Sequence, residues 1–101
     1  MMFMAMNRFR IAVGREDDFE ASWRNRNSYL DNVPGFREFH LLRGPTSDGG
    51  TLFVSHSKWD SRESFEAWTE SEVFRQAHAQ ARSPEGTHLG PPTFEGFEVV
   101  L

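Results

Sequence analysis

Side chains near the start of the chain alternate between two faces with a period of two residues. One face carries Phe3, Ala5, Asn7, Phe9 and Ile11, and the other carries Met2, Met4, Met6, Arg8 and Arg10. This alternation predicts a strand from Phe3 to Ile11. Because both faces are apolar over the first half of the strand, we expect something to cover each of them.

The rest of the chain predicts one helix, a strand pair, a second helix and a closing strand. An acidic first turn at residues 16–18 and an apolar face with Phe19, Trp23 and Leu30 predict a helix from about Arg15 to Asp31. Further strands are predicted for Phe36 to Arg43, Thr51 to Trp59 and Thr93 to Leu101, with a hairpin loop over Gly44 to Gly50 and a loop over Arg82 to Pro92.

This order of elements is typical of the ferredoxin-like, split βαβ arrangement of the α+β class. It predicts a single domain over residues 1–101, with an antiparallel sheet and both helices on one face. The other face would then be uncovered. Since Met2, Met4 and Met6 make that face apolar, we expect a homodimer that packs sheet against sheet.

The second predicted helix has a capping pattern at its start. Asp60 followed three residues later by Glu63 is typical of a capping box. In this motif the Asp60 carboxylate accepts from first-turn amides, and the Glu63 side chain reaches back to the start of the helix. The helix is therefore predicted to begin near Ser61. Phe65 and Trp68, spaced i and i+3, share its inner face.

A polar stretch, Thr69 to Glu72, predicts a break after Trp68. In one straight helix, Trp68 and His78 would be separated by about 80° of rotation and about 15 Å of rise. Only a bend near Thr69 to Val73 would let both side chains face one pocket.

Composition and charge exclude several classes of partner. A formal charge of −4 among 101 residues argues against binding to nucleic acid or to an anionic membrane. No apolar run is long enough to span a bilayer, and polar residues interrupt the first eleven positions, unlike a signal peptide. We expect a cytoplasmic protein. Without cysteine, any metal or haem iron must be held by His, carboxylate, Tyr or water.

Asn7 is the polar exception on the apolar face of the first strand. From the residues alone, the simpler interpretation is a buried amide bonded to a neighbouring backbone group. The functional interpretation is a donor that points into a pocket between sheet and helices.

Four histidines are candidates for chemistry: His40, His56, His78 and His88. His78 alone lies on an apolar helical face beside aromatic residues, where a structural role is the commoner one. His40 and His56 are expected to meet across the hairpin, but the spacing supplies no further zinc ligands. Trp23 and Trp68 fit ordinary core positions, whereas Arg26 either lies in solvent at a helix end or holds a ligand carboxylate.

Four segments resemble the IsdG-type haem-degrading monooxygenases of the antibiotic-biosynthesis monooxygenase superfamily, whose members are dimeric α+β barrels. They are Phe3–Arg8, Asn32–Phe36, Trp59–Trp68 and Phe74–His78. The Pro-Gly-Phe and Trp-rich segments also resemble cofactor-free monooxygenases. The set of an asparagine, a tryptophan and a histidine is the specific part, and it falls on Asn7, Trp68 and His78.

The resemblance implies that His78 ligates haem iron, that Asn7 forms a hydrogen bond toward the distal ligand, and that Trp68 presses the porphyrin out of plane. Trp23, Arg26 and Phe74 are the other expected haem contacts. Some relatives carry an arginine near the propionates where this chain has Ser22. Arg26 is therefore the remaining candidate for the propionates.

The resemblance implies oxidative cleavage of haem with O₂ and an external electron donor. The products would be iron and a biliverdin-like tetrapyrrole, and the physiological role would be iron acquisition. Haem would be both substrate and cofactor. The alternatives are a cofactor-free monooxygenase acting on an aromatic polyketide or quinol, and a haem-binding protein that is not an enzyme.

Overall fold

The structure is a computed structural model and describes residues 1–24, 30–72, 74–75 and 85–101. Its elements, in chain order, are strand β1 (Phe3–Ala12), helix α1 (Glu16–Arg24), a 3₁₀ turn (Leu30–Asn32), strands β2 (Phe36–Ser47) and β3 (Gly50–Trp59), helix α2 (Arg62–Thr69) and strand β4 (Thr93–Glu98). The strands form one sheet in the order β2-β3-β1-β4, and all neighbours are antiparallel. The predicted ferredoxin-like α+β fold is confirmed.

The register of the sheet places the two faces of β1 as its alternation predicts. Phe3 lies opposite Trp59, and Ile11 lies opposite Thr51. Since directly paired residues point to the same side of a sheet, these four side chains share one face. All four are buried, and this is the face on which both helices pack.

Two hydrophobic clusters hold the helices on this face. The α2 cluster contains Phe3, Ala5, Leu30 and Trp59, with Val33, Phe36, Phe39, Phe65 and Trp68 packed against it. The α1 cluster contains Ile11, Phe19 and Phe53, with Phe9, Trp23 and Leu41 packed against it. Each helix is therefore attached to its own end of the sheet.

The other face of the sheet, called the open face below, is covered by no helix among the described residues. Met4 and Met6 lie on it, opposite Lys58 and His56 of β3. It also exposes two large apolar side chains, Leu42 at 48% and Phe97 at 45%. None of the helices in the described ranges is long and apolar enough to cross a membrane.

The hairpin between β2 and β3 is tighter than predicted. The strands continue to Ser47 and from Gly50, so the loop predicted over Gly44 to Gly50 is wrong. Only Asp48 and Gly49 form the turn, both with positive φ of 51° and 79°, as a two-residue hairpin turn requires. A register shift between Arg43 and Thr46 accommodates Pro45 in this edge strand.

The start of α2 also differs from the prediction by one residue. Ser61 is the N-cap, and its hydroxyl oxygen accepts from the amide of Ser64 at 3.1 Å. Asp60, the predicted cap, instead accepts from Arg37. The predicted break is confirmed: α2 ends at Thr69, and the Ser71 hydroxyl accepts from the amide of Phe74 at 3.2 Å.

The first helix begins within one residue of the predicted start, at Glu16, and its described part ends at Arg24. Residues 25–29 lie outside the described ranges. Leu30, predicted on the helix face, is buried in the 3₁₀ turn instead. The predicted final strand ends at Glu98 rather than Leu101, although the amide of Val99 still donates to Met2.

Candidate active site

A row of four side chains crosses the helix face between the two clusters, one from each strand. This central row consists of Leu41, Ser55, Asn7 and Phe94, which are paired directly across the sheet. On β1 the row lies between Ala5 of the α2 cluster and Phe9 of the α1 cluster, and its Leu41 also packs against the α1 cluster. Two of its four members are polar, on a face that is otherwise mainly apolar.

Asn7 is half-buried in the middle of this row. Its side chain forms no hydrogen bond with another residue in the part of the chain that the structure describes. The simpler interpretation of Asn7, an amide satisfied by a neighbouring backbone group, therefore finds no support in this structure. The carboxamide is available to a ligand above the sheet.

Trp68 comes from the inner face of α2, which the Ser61 cap starts. Its ring lies 5.2 Å from the ring of Trp59 and 6.1 Å from that of Phe65, measured between centroids. After the helix ends, the chain brings Phe74 edge-on to Trp68 at 4.8 Å. Trp68 and Phe74 thus form one aromatic wall.

Trp23 forms the corresponding wall on α1. It stacks on Phe39 at 5.4 Å with an interplanar angle of 23°, and it meets Phe9 edge-on at 6.0 Å. A cleft of about 540 Å³ opens beside it, lined by Glu20, Trp23, Arg24, Leu41, Arg43 and Phe53. Leu41 belongs to the central row, so the cleft borders that row.

The charges at the mouth of this cleft are paired with one another. Glu20 accepts from Arg24 at 2.9 Å and from Arg43 at 3.0 Å. All three side chains keep some contact with solvent, so the pairs contribute little to stability. The two arginines share one carboxylate, so these three side chains together keep a net positive charge.

Glu16 anchors the start of α1 to the sheet. The hydroxyl of Thr51 donates to its carboxylate at 2.8 Å, and the amide of Gly14 donates to the other oxygen, also at 2.8 Å. The Thr51 hydrogen bond is the main cause that lowers the pKa of Glu16, followed by backbone hydrogen bonds, and Arg43 lowers it further. This contact holds the α1 wall in place.

Two predicted site residues, Arg26 and His78, lie outside the described residues. Of the other histidines, His40 and His56 meet as predicted, with ring centroids 6.0 Å apart, but on the open face. His88 packs edge-on against Phe19 at 5.4 Å. No group of three or more metal-binding side chains occurs among the described residues.

Sequence reasoning missed two members of the central row, Ser55 and Phe94. Both lie directly opposite Asn7, on β3 and β4. Phe94 is 51% exposed and stacks on Phe65 at 5.6 Å, nearly parallel. The sequence pattern places the odd-numbered residues of β3 on one face. Only the pairing of β1 with β3 shows that Ser55 lies directly opposite Asn7.

Taken together, these side chains form a surface suited to a flat, largely apolar ligand. Aromatic walls from α1 and α2 stand on either side of a floor that carries one amide and one hydroxyl. Binding sites for cofactors commonly combine apolar and aromatic walls with a few placed polar groups. Such a site can hold a planar molecule by its rings and direct a hydrogen bond at its reacting centre.

Comparisons with known proteins agree with this geometry. The family model described as antibiotic biosynthesis monooxygenase matches residues 2–80. A heme oxygenase (mycobilin-producing) from Mycobacterium tuberculosis is 33% identical over 102 residues, covering 100% of this chain and 91% of the relative.

Similar solved structures support the same family assignment. The heme-degrader MhuD from M. tuberculosis, with two hemes bound in its active site, is 30% identical with a TM-score of 0.73, covering 98% of this chain and 96% of that one. An antibiotic biosynthesis monooxygenase from Bacillus cereus has a TM-score of 0.77 at 18% identity over 98% of this chain and 91% of that one, which concerns the fold alone. The resemblance found in the sequence is confirmed, and the chain belongs to the antibiotic biosynthesis monooxygenase family.

Proposed function

We propose that this protein is a haem-degrading monooxygenase, which cleaves the porphyrin ring with O₂ and an external electron donor. The observation that carries the proposal is the 33% identity, over the whole chain, to a heme oxygenase. The aromatic walls and the polar floor of the candidate site support it, because they suit a planar ligand with a polar reacting centre.

The residues of the site fit haem as the substrate. Trp23, Trp68, Phe74 and Phe94 offer ring surface for the apolar porphyrin, and the unpaired groups of the floor offer hydrogen bonds near its centre. The propionates need cations. Arg24 and Arg43 both bind Glu20, and the resemblance in the sequence makes Arg26 the candidate for the propionates.

Each catalytic candidate has a separate task. His78 is proposed to hold the iron, since neutral imidazole is a common haem ligand in proteins. Asn7 would donate a hydrogen bond to a small molecule bound at the iron. Trp68, backed by Trp59 and Phe74, would press against the porphyrin ring. The redox chemistry itself is supplied by the bound haem.

The reaction needs electrons from outside the chain, since the sequence carries no flavin or nicotinamide motif. It yields a linear tetrapyrrole and frees the iron, which would serve iron acquisition. Mass spectrometry of the isolated tetrapyrrole would show whether the product keeps the meso carbon at which the ring is opened.

The open face supports a homodimer in which two sheets pack together. It carries the apolar side chains Met4, Met6, Leu42 and Phe97 together with charges of both signs, which suits a symmetric contact between identical surfaces. Two such sheets would form the dimeric α+β barrel that the sequence predicts.

The test is a hemin titration followed by reduction in air. We expect a Soret band to form, and to decay when ascorbate is added with catalase present to remove free peroxide. A band that never forms would favour the cofactor-free monooxygenase. A stable band under reductant and air would favour a haem carrier, and either result overturns the proposal.

A further inference from the structure

Strand β3 presents three buried hydroxyl groups to the helix face, and they are not equally satisfied. Thr51, fully buried, bonds to Glu16 and Thr46. Ser57, 8% exposed, accepts from Nε1 of Trp59 at 3.0 Å. Ser55, 6% exposed, forms no side-chain hydrogen bond with any residue that the structure describes.

The Ser55 hydroxyl has no protein partner among the described residues, yet its oxygen keeps some contact with solvent. A polar group that solvent can reach is hydrogen-bonded by water, or by a ligand that replaces the water. The partner of Ser55 therefore comes from outside the described chain.

The position of Ser55 identifies that partner. It pairs directly with Asn7 across β1 and β3, so the two Cβ atoms are about 4.5–5.5 Å apart. Leu41 and Phe94, the other members of the central row, are apolar. The amide and the hydroxyl are thus adjacent polar groups that share the volume above the middle of the sheet.

We infer that Ser55 is the second hydrogen-bonding residue of the pocket floor and binds, together with Asn7, one small polar ligand. This inference rests on the proposed function: in the haem complex, the ligand is the small molecule or anion on the iron that faces the floor. Without haem it is water. A serine hydroxyl both donates and accepts, so it serves water and an anion equally well.

The test is azide binding to the ferric haem complex of wild type, Ser55→Ala and Ser55→Thr. Loss of one hydrogen bond of ordinary strength should weaken azide binding about 2- to 10-fold in Ser55→Ala. Ser55→Thr keeps a hydroxyl and should stay within about twofold of wild type. Hemin affinity should not change in either variant.

Ser57→Ala is the matched control, because it removes a hydroxyl from the same face of the same strand. Its hydroxyl already serves Trp59, so azide affinity should stay at the wild-type value while the Tm falls. Ser55→Ala should leave the Tm of the haem-free protein nearly unchanged, because the hydroxyl bonds to solvent and to no side chain of the described residues.

The outcomes separate this inference from the proposed function. If wild type gives no Soret band, the proposed function fails. If the band forms and Ser55→Ala binds azide as wild type does, only the role of Ser55 is refuted. A Tm loss in haem-free Ser55→Ala as large as in Ser57→Ala would make Ser55 a structural residue, whatever the result with hemin.

Discussion

The two faces of the sheet are built by the same four strands, yet their middles differ in chemistry. The helix face carries the central row, Leu41, Ser55, Asn7 and Phe94. The open face carries, at the same level, His40, His56, Met6 and Glu95. Neighbouring residues of each strand thus take part in two different surfaces.

The difference indicates what each face binds. On the helix face, two unpaired polar groups stand among aromatic rings, which suits a small ligand. On the open face, Arg8 and Glu95 form an ion pair at 3.8 Å, and Leu42 and Phe97 are exposed apolar side chains. Apolar side chains mixed with charged ones suit contact with another protein surface. The proposed pocket and the proposed interface therefore lie on opposite faces of one sheet.

The largest expected effect separates the proposed iron ligand from the other histidines. His78→Ala should weaken hemin binding by more than about 100-fold or change the iron ligation, because loss of a metal ligand costs more than loss of its supporting contacts. His40→Ala and His56→Ala, on the open face, and His88→Ala should keep the wild-type Soret spectrum. Absorbance titration of each variant with hemin checks this. An unchanged spectrum in His78→Ala would refute the ligand assignment.

The next prediction tests whether the open face is a dimer interface. Met4→Lys places a second cation beside Lys58, its cross-strand partner, and should raise the dimer dissociation constant about 100-fold or more, since a buried like-charge contact costs several kcal/mol. Sedimentation velocity at micromolar concentration measures it.

Val13→Lys is the control for this variant, because it makes the same kind of change at a side chain 56% exposed and outside β1. It should leave the sedimentation coefficient unaltered. A wild-type protein that sediments as a monomer would contradict the dimer.

A third prediction concerns the helix face alone. Asn7→Ala should slow haem degradation about 10- to 100-fold, the value of a hydrogen bond to a charged group, while hemin affinity changes little. Single-turnover absorbance decay with ascorbate and catalase measures the rate. Asn32→Ala, an exposed asparagine of the 3₁₀ turn, serves as the control. Degradation at the wild-type rate in Asn7→Ala would show that the amide has no part in turnover.

The smallest effect is a pH dependence on the helix face. Because the pKa of Glu16 is lowered in the folded protein, its carboxylate stabilises the fold at pH values above the ordinary glutamate pKa of about 4.3. This stabilisation is lost as the pH falls through the lowered pKa. Thr51→Val removes the main cause of the shift. Its loss of Tm relative to wild type should be largest at pH 7 and shrink below about pH 4.

Thr93→Val is the control for this pH series, since Thr93 is exposed and pairs with Arg8 on the open face. Its Tm difference from wild type should stay constant with pH. Thermal unfolding from pH 7 to pH 3 tests both variants, and a pH-independent difference in Thr51→Val would exclude the proposed link to Glu16.

Local patterns predicted most of the fold, because they depend on neighbours in sequence. The alternation of β1 identified both faces, and the polar residues after Trp68 identified the end of α2. Errors arose where distant contacts decide. Pro45 remains in a strand because β2 is at the sheet edge, and Asp60 does not cap α2 because Arg37 binds it.

The candidate site was predictable only in part, for a similar reason. Asn7 is conspicuous as a single polar residue on an apolar strand face. Ser55 is not conspicuous, because a second serine, Ser57, lies on the same face of β3. Its importance depends on the pairing of β1 with β3, two strands that are far apart in the chain. Their register follows from packing, which no local pattern encodes.

The pairing of β1 with β3 also limits how this protein can change in length. Removing a single residue such as Leu52 would shift the rest of β3 by one place and turn every later side chain to the opposite face. His56 would then arrive beside Asn7, Ser55 would leave the pocket, and the fully buried Trp59 would turn outward. We therefore expect insertions and deletions among relatives to fall between the elements, while β1 and β3 vary only by substitution.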